Sequence, residues 1–322
     1  MRVSVILPTH NPRPDYFRRV LEALGRQTLP ADEWEVVVVD NASRDDVHAL
    51  AAHVRLRRFR VVREEKLGLT SARLRGFAEG EGEWFVLVDD DNVPARDYLE
   101  CALGIAGRHP ALGVFGGRVL PVFESAPPSW IEGVWSGLGC RDLGGAEILW
   151  PPLASERGAA GRVGEFPRCA PIGAGMVLRR EAAAAYADLL RSRAVEISDR
   201  KGDSLSSAGD NDICLCALEQ GWQAGYFPQL EIRHLIPRAR TTLDYQNRMA
   251  REAMRSFVVM LDLHGIRPWP RVPGWTVPLR VSRDWFRVRP WRDEGSSLRW
   301  AMNRGRYEGR SQIGSRPPSV ES

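Results

Sequence analysis

Lysine is nearly absent from this chain. Only Lys66 and Lys201 contribute to its 45 cationic residues, and arginine carries the rest. The net charge of +4 is mild and does not by itself imply a nucleic-acid partner. Cysteine is scarce as well. Cys101, Cys140, Cys169, Cys214 and Cys216 are odd in number and show no CxxC spacing. They suggest neither a disulfide framework nor a zinc site, and they suit a reducing, cytoplasmic setting. No apolar run approaches the roughly 18 residues a membrane span needs. The N-terminus runs from Met1 straight into a strand pattern, without the cleavage site of a signal peptide. No GxxxxGK[ST] phosphate loop and no internal repeat is present.

With 43% apolar and 27% charged residues, the composition is that of an ordinary globular protein. The first 120 residues alternate strand and helix. Strands are expected at residues 3–8, 35–40, 59–62, 84–89 and 112–120, and helices at 15–27, 45–53, 69–78 and 95–106. The run Glu35-Val36-Val37-Val38-Val39-Asp40 reads as a parallel strand covered on both faces. This order predicts an α/β fold with right-handed crossovers. Prolines and glycines interrupt residues 121–170, as in lids and binding loops. A strand at 175–179 and helices at 181–191 and 210–220 follow. Strands at 223–227 and 230–235 then lead to a long helix over 241–264. Residues 267–310 hold 11 Arg against 4 acidic residues, interleaved with Trp269, Trp275, Trp285, Trp291 and Trp300. The last dozen residues are polar and expected to be disordered.

The most informative stretch is Trp84-Phe85-Val86-Leu87-Val88-Asp89-Asp90-Asp91-Asn92. An apolar strand ends in three adjacent carboxylates, at the edge where open α/β sheets bind ligands. Such carboxylates repel one another, and a hard divalent cation would relieve that repulsion. The triplet lacks the Gly and Glu of a calcium-binding EF-hand loop. Two further acidic positions stand where elements meet: Asp40 at the end of the second strand, and Asp210-Asn211-Asp212 at a helix start. Each alone could be a turn or a helix cap.

Eight segments in order carry a resemblance. They are Val5-Ile6-Leu7-Pro8-Thr9-His10-Asn11, Val38-Val39-Asp40-Asn41-Ala42-Ser43, Gly68-Leu69-Thr70-Ser71-Ala72-Arg73 and Leu87-Val88-Asp89-Asp90-Asp91-Asn92. Gly173-Ala174-Gly175-Met176-Val177-Leu178-Arg179-Arg180, Gly209-Asp210-Asn211-Asp212, Gly221-Trp222 and His234-Leu235-Ile236-Pro237 complete the set. Over about residues 1–260 the chain resembles the family 2 glycosyltransferases of the GT-A fold. The resemblance implies residues 1–265 as a catalytic domain, with a nucleotide-binding half (1–120) and an acceptor-binding half (121–265). Residues 266–322 would form a helical, Arg/Trp-rich extension.

It further implies an inverting transfer from a nucleotide-sugar, UDP-linked as first choice, to an acceptor hydroxyl, with Mn²⁺ or Mg²⁺ as cofactor. Pro8, Thr9 and Asn11 match the segment that holds the base, and Asp40 the acid at base or ribose. Arg73 matches a basic residue facing the diphosphate. Asp91 would bind the metal, Asp89 the ribose or the metal's water shell, and Asp90 would support both. His234 would complete the metal site. Asp210 is the implied general base and Asp212 the second acid of its motif. Gly209 departs from the pattern where another acid is usual, and a shifted register would put Asn211, which cannot take a proton, at the base position. Gly173 and Gly175 match a turn close to donor or acceptor sugar.

On the acceptor side, Trp130, Trp135 and Trp150 could stack on a sugar ring or be core residues. The acceptor would be a sugar, a lipid-linked molecule or a small molecule. The Arg/Trp segment suits peripheral contact with an anionic membrane, packing on the catalytic domain, or a homodimer contact. Two rival readings are a non-catalytic nucleotide-sugar-binding relative and a nucleotidyltransferase. The second usually has a Gly-rich, basic phosphate loop where this chain has Pro8-Thr9-His10-Asn11-Pro12.

Overall fold

The computed structural model describes residues 1–52, 54–153, 166–193, 205 and 208–314. Nine strands form one sheet: β1 (Val3–Thr9), β2 (Trp34–Asp40), β3 (Phe59–Arg63), β4 (Trp84–Leu87), β5 (Asn92–Pro94), β6 (Leu112–Phe123), β7 (Ile148–Trp150), β8 (Val177–Arg179) and β9 (Gln223–Ile236). Their order is β3-β2-β1-β4-β8-β6-β9-β5, with β7 also on β9. The β3, β2, β1 and β4 pairings are parallel. β8 runs antiparallel to both β4 and β6, whereas β6 and β9 are parallel.

β1 and β2 are buried along their whole length, which is why they read as unbroken apolar runs. Successive side chains alternate between faces. Val5, Leu7, Val36 and Val38 enter one core, and Ile6, Val37 and Val39 the other. The first core is closed by α1 (Pro14–Leu24), α2 (Val47–Ala51) and, after α3 (Leu69–Glu79) in the chain, by α4 (Tyr98–Arg108). The second is closed by α3, α5 (Arg180–Ser192), α6 (Gly209–Glu219) and α7 (Leu243–Leu263).

The extension folds as α8 (Val277–Val288) and α9 (Glu294–Gln312). α9 lies along α7, where Arg251 donates to Glu308 through Nε (2.8 Å) and Nη2 (2.9 Å). Gly305 permits this approach, since a Cβ there would lie 2.0 Å from the Arg251 carbonyl oxygen. No described helix is long and apolar enough to cross a membrane.

Several elements differ from expectation. The two strands expected over 223–235 form one strand, β9. Their gap falls where the β6–β9 register breaks, between the pairs Gly116–Tyr226 and Arg118–Glu231. The helix expected from residue 95 begins at Tyr98, because residues 92–94 pair with β9 as β5. Such a three-residue strand exists only through its partner and leaves no periodicity to read. His53 and residues 315–322, the end of the expected disordered tail, lie outside the described residues.

Gly117 sits in the register break, where a Cβ would meet the Leu230 carbonyl oxygen at 2.0 Å and that of Phe227 at 2.5 Å. Gly117→Ala is therefore expected to cost about 3 kcal/mol, the upper part of the range for overpacking. Chemical denaturation should show a lowered midpoint with an unchanged slope. An unchanged midpoint would mean the break relaxes freely.

Candidate active site

The ends of β1, β2 and β4 enclose a cleft of about 280 Å³. Pro8 and Thr9 line it from β1, His10 and Asn41 from just beyond β1 and β2, and Asp89, Asp90 and Asp91 from beyond β4. Leu69 and Ala72 of α3 close one side and Arg240 another. This is the carboxyl-end crevice that a parallel sheet offers. Asn41 braces the rim. Its Nδ2 donates to the carbonyls of Glu64 (3.1 Å) and Lys66 (2.9 Å), and its Oδ1 accepts from Gly68 N (2.7 Å). His10 Nδ1 donates to the Asn41 carbonyl at 2.7 Å. Asn11 takes a positive φ of 50° at the end of β1, accepts from Arg44 N through Oδ1 (2.9 Å) and donates its backbone N–H to Ser43 Oγ (2.9 Å). It ties the rim together, while Pro8 and Thr9 line the cleft.

The three carboxylates have different surroundings. Asp90 accepts from Thr9 Oγ1 at 2.5 Å. Burial, then repulsion from Asp91, push its carboxyl up to about 7, although the Thr9 hydrogen bond works the other way. Asp91 is buried, and its Oδ2 lies 3.2 Å from His234 Nε2 and 3.1 Å from Arg240 Nη1. Arg240 Nη1 is also 3.2 Å from His234 Nε2. A guanidinium only donates and a carboxylate only accepts, so the tautomer of His234 sets which of the two its Nε2 pairs with. On its other side His234 Nδ1 meets Cys140 Sγ at 3.7 Å.

The β5–β9 pairing creates this group by setting Asn92 opposite His234. An acidic oxygen and an imidazole nitrogen thus face one point, a donor set that suits Mn²⁺ when the nitrogen is unprotonated. No group of three or more His, Cys, Asp or Glu side chains among the described residues is arranged to hold a metal ion. Asp89, expected as a further ligand, does not join Asp91 and His234. The pair fits a cation whose remaining ligands are substrate oxygens and water.

Asp210 stands in the first turn of α6. Its Oδ1 accepts from Arg73 Nη1 at 2.6 Å and its Oδ2 from Gly173 N at 2.7 Å. Gly173 is required here, because a Cβ would lie 2.3 Å from Arg73 Nη2 and 2.7 Å from Asp210 Oδ1. Arg73, expected at a diphosphate, is 2% exposed and holds this carboxylate. Gly175, expected close to a sugar, has its carbonyl bonded by the Tyr98 hydroxyl at 2.5 Å. It packs against protein because its backbone fills the space beside α4 and β9.

Two other acids also lie elsewhere than expected. Asp40 does not line the cleft; its carboxylate accepts from Arg63 Nη1 (2.6 Å) and Ser43 N (2.9 Å). Asp212 is fully buried and accepts from Arg193 Nη1 (2.8 Å), with His264 Nε2 at 2.7 Å. His264 Nδ1 is 2.8 Å from Glu219 Oε1. This cluster clamps α6 to α7 and so fixes the turn that carries Asp210. Trp130 lines a separate cleft of about 480 Å³ with Pro128, Arg238, Thr242 and Glu294. Trp135 packs on the first core and Trp150 on the second. Sequence reasoning missed Arg240, His10 and Asn41 as cleft residues. The last two stood inside quoted motifs, but nothing near Arg240 marks it.

The model described as Glycosyl transferase family 2 matches residues 4–176, more than half the chain. The chain belongs to this family. A putative glycosyltransferase of Bacillus subtilis, EpsH, is 32% identical over 107 residues, 33% of this chain and 30% of that protein. The chain thus matches about a third of the length of this family 2 relative. A glucosyl-dolichyl phosphate glucuronosyltransferase of Haloferax volcanii is 22% identical over 76% of this chain and 72% of its own length. Among solved structures, the mannosyltransferase PcManGT from Pyrobaculum calidifontis, in complex with GDP-Man and Mn²⁺, aligns with a TM-score of 0.52 and 21% identity. That alignment covers 94% of this family 2 chain and 73% of the other, and supports the GT-A fold.

The Asp212 clamp has a pH signature. Burial disfavours the His264 cation, but hydrogen bonds with Asp212 and Glu219 outweigh it, so its pKa is raised. The clamp's contribution is fully present below the unfolded value of about 6.5 and is lost as pH rises through the higher folded value. Wild-type stability should fall as pH rises above about 6.5. His264→Gln should flatten that fall and lower stability at acid pH. Equal pH slopes in denaturation of the two proteins would refute the clamp.

Proposed function

We propose that this chain transfers a sugar from a nucleotide-sugar to an acceptor hydroxyl with inversion at the anomeric carbon. The observation that carries the reading is the partly exposed carboxylate of Asp210, anchored by Arg73, whose neighbour Ala72 on α3 lines the cleft of the acidic triplet. Pro8, Thr9, His10 and Asn41 would hold the nucleoside, and Asp89 would face the ribose. Arg240 would face the diphosphate and accept its charge through bidentate hydrogen bonds. Trp130 would serve the acceptor side.

The carboxylate of Asp210 uses one lone pair for Arg73 and one for Gly173 N, which fixes its orientation and leaves others for the acceptor. It would take the hydroxyl proton as the acceptor oxygen bonds to the anomeric carbon. The bond from that carbon to the diphosphate oxygen breaks, and the nucleoside diphosphate leaves. Attack from the face opposite the leaving group inverts the centre. A divalent cation held by Asp91 and His234 would stabilise the charge that grows on the diphosphate. The manganese and GDP-mannose of the Pyrobaculum structure support a metal and a nucleotide-sugar as the ligands to test. UDP-, GDP- and dTDP-sugars are separated by calorimetric titration of the three nucleotides with and without Mn²⁺. No binding of any of them to folded protein would end this reading.

Asp210→Asn should keep nucleotide binding and lose transfer by about 10²- to 10⁴-fold, the usual contribution of a general base. Wild-type turnover in that variant would remove Asp210 from the role. Arg240→Gln should bind Mn²⁺ more tightly in the absence of nucleotide, because no guanidinium then competes for Asp91 and His234. It should bind the nucleoside diphosphate about tenfold more weakly, the equivalent of one charge-assisted hydrogen bond. Manganese titration followed by electron paramagnetic resonance measures the first effect and calorimetry the second. Unchanged affinities for both would place Arg240 outside the site.

A further inference from the structure

α8 turns its apolar side away from the protein. Leu279 and Phe286 lie seven residues apart on one side of the helix and are 65% and 71% exposed. Trp275, just before α8, is 76% exposed, and Trp291, just after it, 57%. A polar anchor on the opposite side sets this orientation. Asp284 is buried and accepts from Asn303 Nδ2 (3.1 Å) and the Tyr307 hydroxyl (3.0 Å), both on α9.

Single exposed apolar side chains are ordinary, but a clustered stripe of large ones marks an interaction surface. Its neighbours define the partner. Arg283, Arg287, Arg289 and Arg292 are exposed, and their side chains make no hydrogen bond or ion pair with any described residue. A second copy docked face to face would bring these like charges together. An anionic bilayer instead offers phosphates to the guanidinium groups and an apolar layer to the stripe.

The surface is also placed for use. The turn after α8 leads to Glu294, which lines the 480 Å³ cleft with Trp130 and Arg238. Two residues beyond Arg238, Arg240 lines the cleft beneath the acidic triplet. We propose that α8 docks on an anionic lipid bilayer and sets the Trp130 cleft at the membrane surface, where an acceptor carried on a lipid would be presented. The docking stands on the exposed face alone; the acceptor's lipid nature rests also on the transferase reading.

Flotation of the full chain with phosphatidylcholine vesicles, with and without phosphatidylglycerol, tests the docking. Binding is expected only to the anionic vesicles and should weaken as salt is raised. Leu279→Ser with Phe286→Ser should reduce binding at least about tenfold. Arg283→Gln with Arg287→Gln should do so by about tenfold at low salt. All four positions are exposed, and circular dichroism melting checks that the variants stay folded. Failure of folded wild type to float with anionic vesicles would overturn the proposal. So would serine variants that bind as well as wild type, or a wild-type dimer in sedimentation that the serine variants convert to monomer. Nucleotide titration of the same proteins separates the two readings. Vesicle binding without nucleotide binding would leave the docking intact and remove the transferase.

Discussion

Three adjacent carboxylates at the mouth of a sheet need compensation, and much of the site is built around supplying it. Asp90 is relieved by sharing the Thr9 hydroxyl and by the upward shift of its own pKa. Asp91 is relieved by a cation, the Arg240 guanidinium, which it shares with His234. In that arrangement Asp91 Oδ2 and His234 Nε2 both face one guanidinium nitrogen of Arg240. The acidic end of the cleft is therefore balanced in part by the protein's own cation.

Asp210 obeys a second, separate logic. Its carboxylate is oriented by a buried arginine from α3 and a backbone N–H from the turn before β8. The helix that carries it is clamped by the Asp212–His264 cluster. The two acids of one short motif thus divide the work. Asp210 is partly exposed and Asp212 is fully buried. Helix geometry enforces this, because residues two apart point to nearly opposite sides.

The C-terminal helices are held to the rest of the chain by packing of α9 along α7. Gly305 of α9 lets the two backbones approach, and the Arg251–Glu308 pair fixes their register. The apolar face of α8 is left outside this packing because its anchor, Asp284, has its partners on α9. Residues that read in the sequence as an undivided Arg/Trp tract therefore separate into an inner side that holds the fold and an outer side that is exposed.

Local sequence determined the parallel half of the sheet, its covering helices and the position of the acids at strand ends. Val36 to Val39 have no environment other than a doubly covered strand, and Asp89 to Asp91 have no place in a core. The segments that carry the family likeness were legible for the same reason, since each lies at or beside the end of a strand or helix, where residue types are set locally. Tertiary structure alone decided which of these residues meet. Arg73 reaches Asp210 across 137 positions of chain, and His234 reaches Asp91 through a three-residue strand that exists only when β9 lies beside it. Arg240 has no local signature, because its role comes from the point in space where the segment after β9 returns to the acidic triplet. Pairings between distant segments are fixed by packing and charge in the folded state, and no short stretch of sequence contains that information.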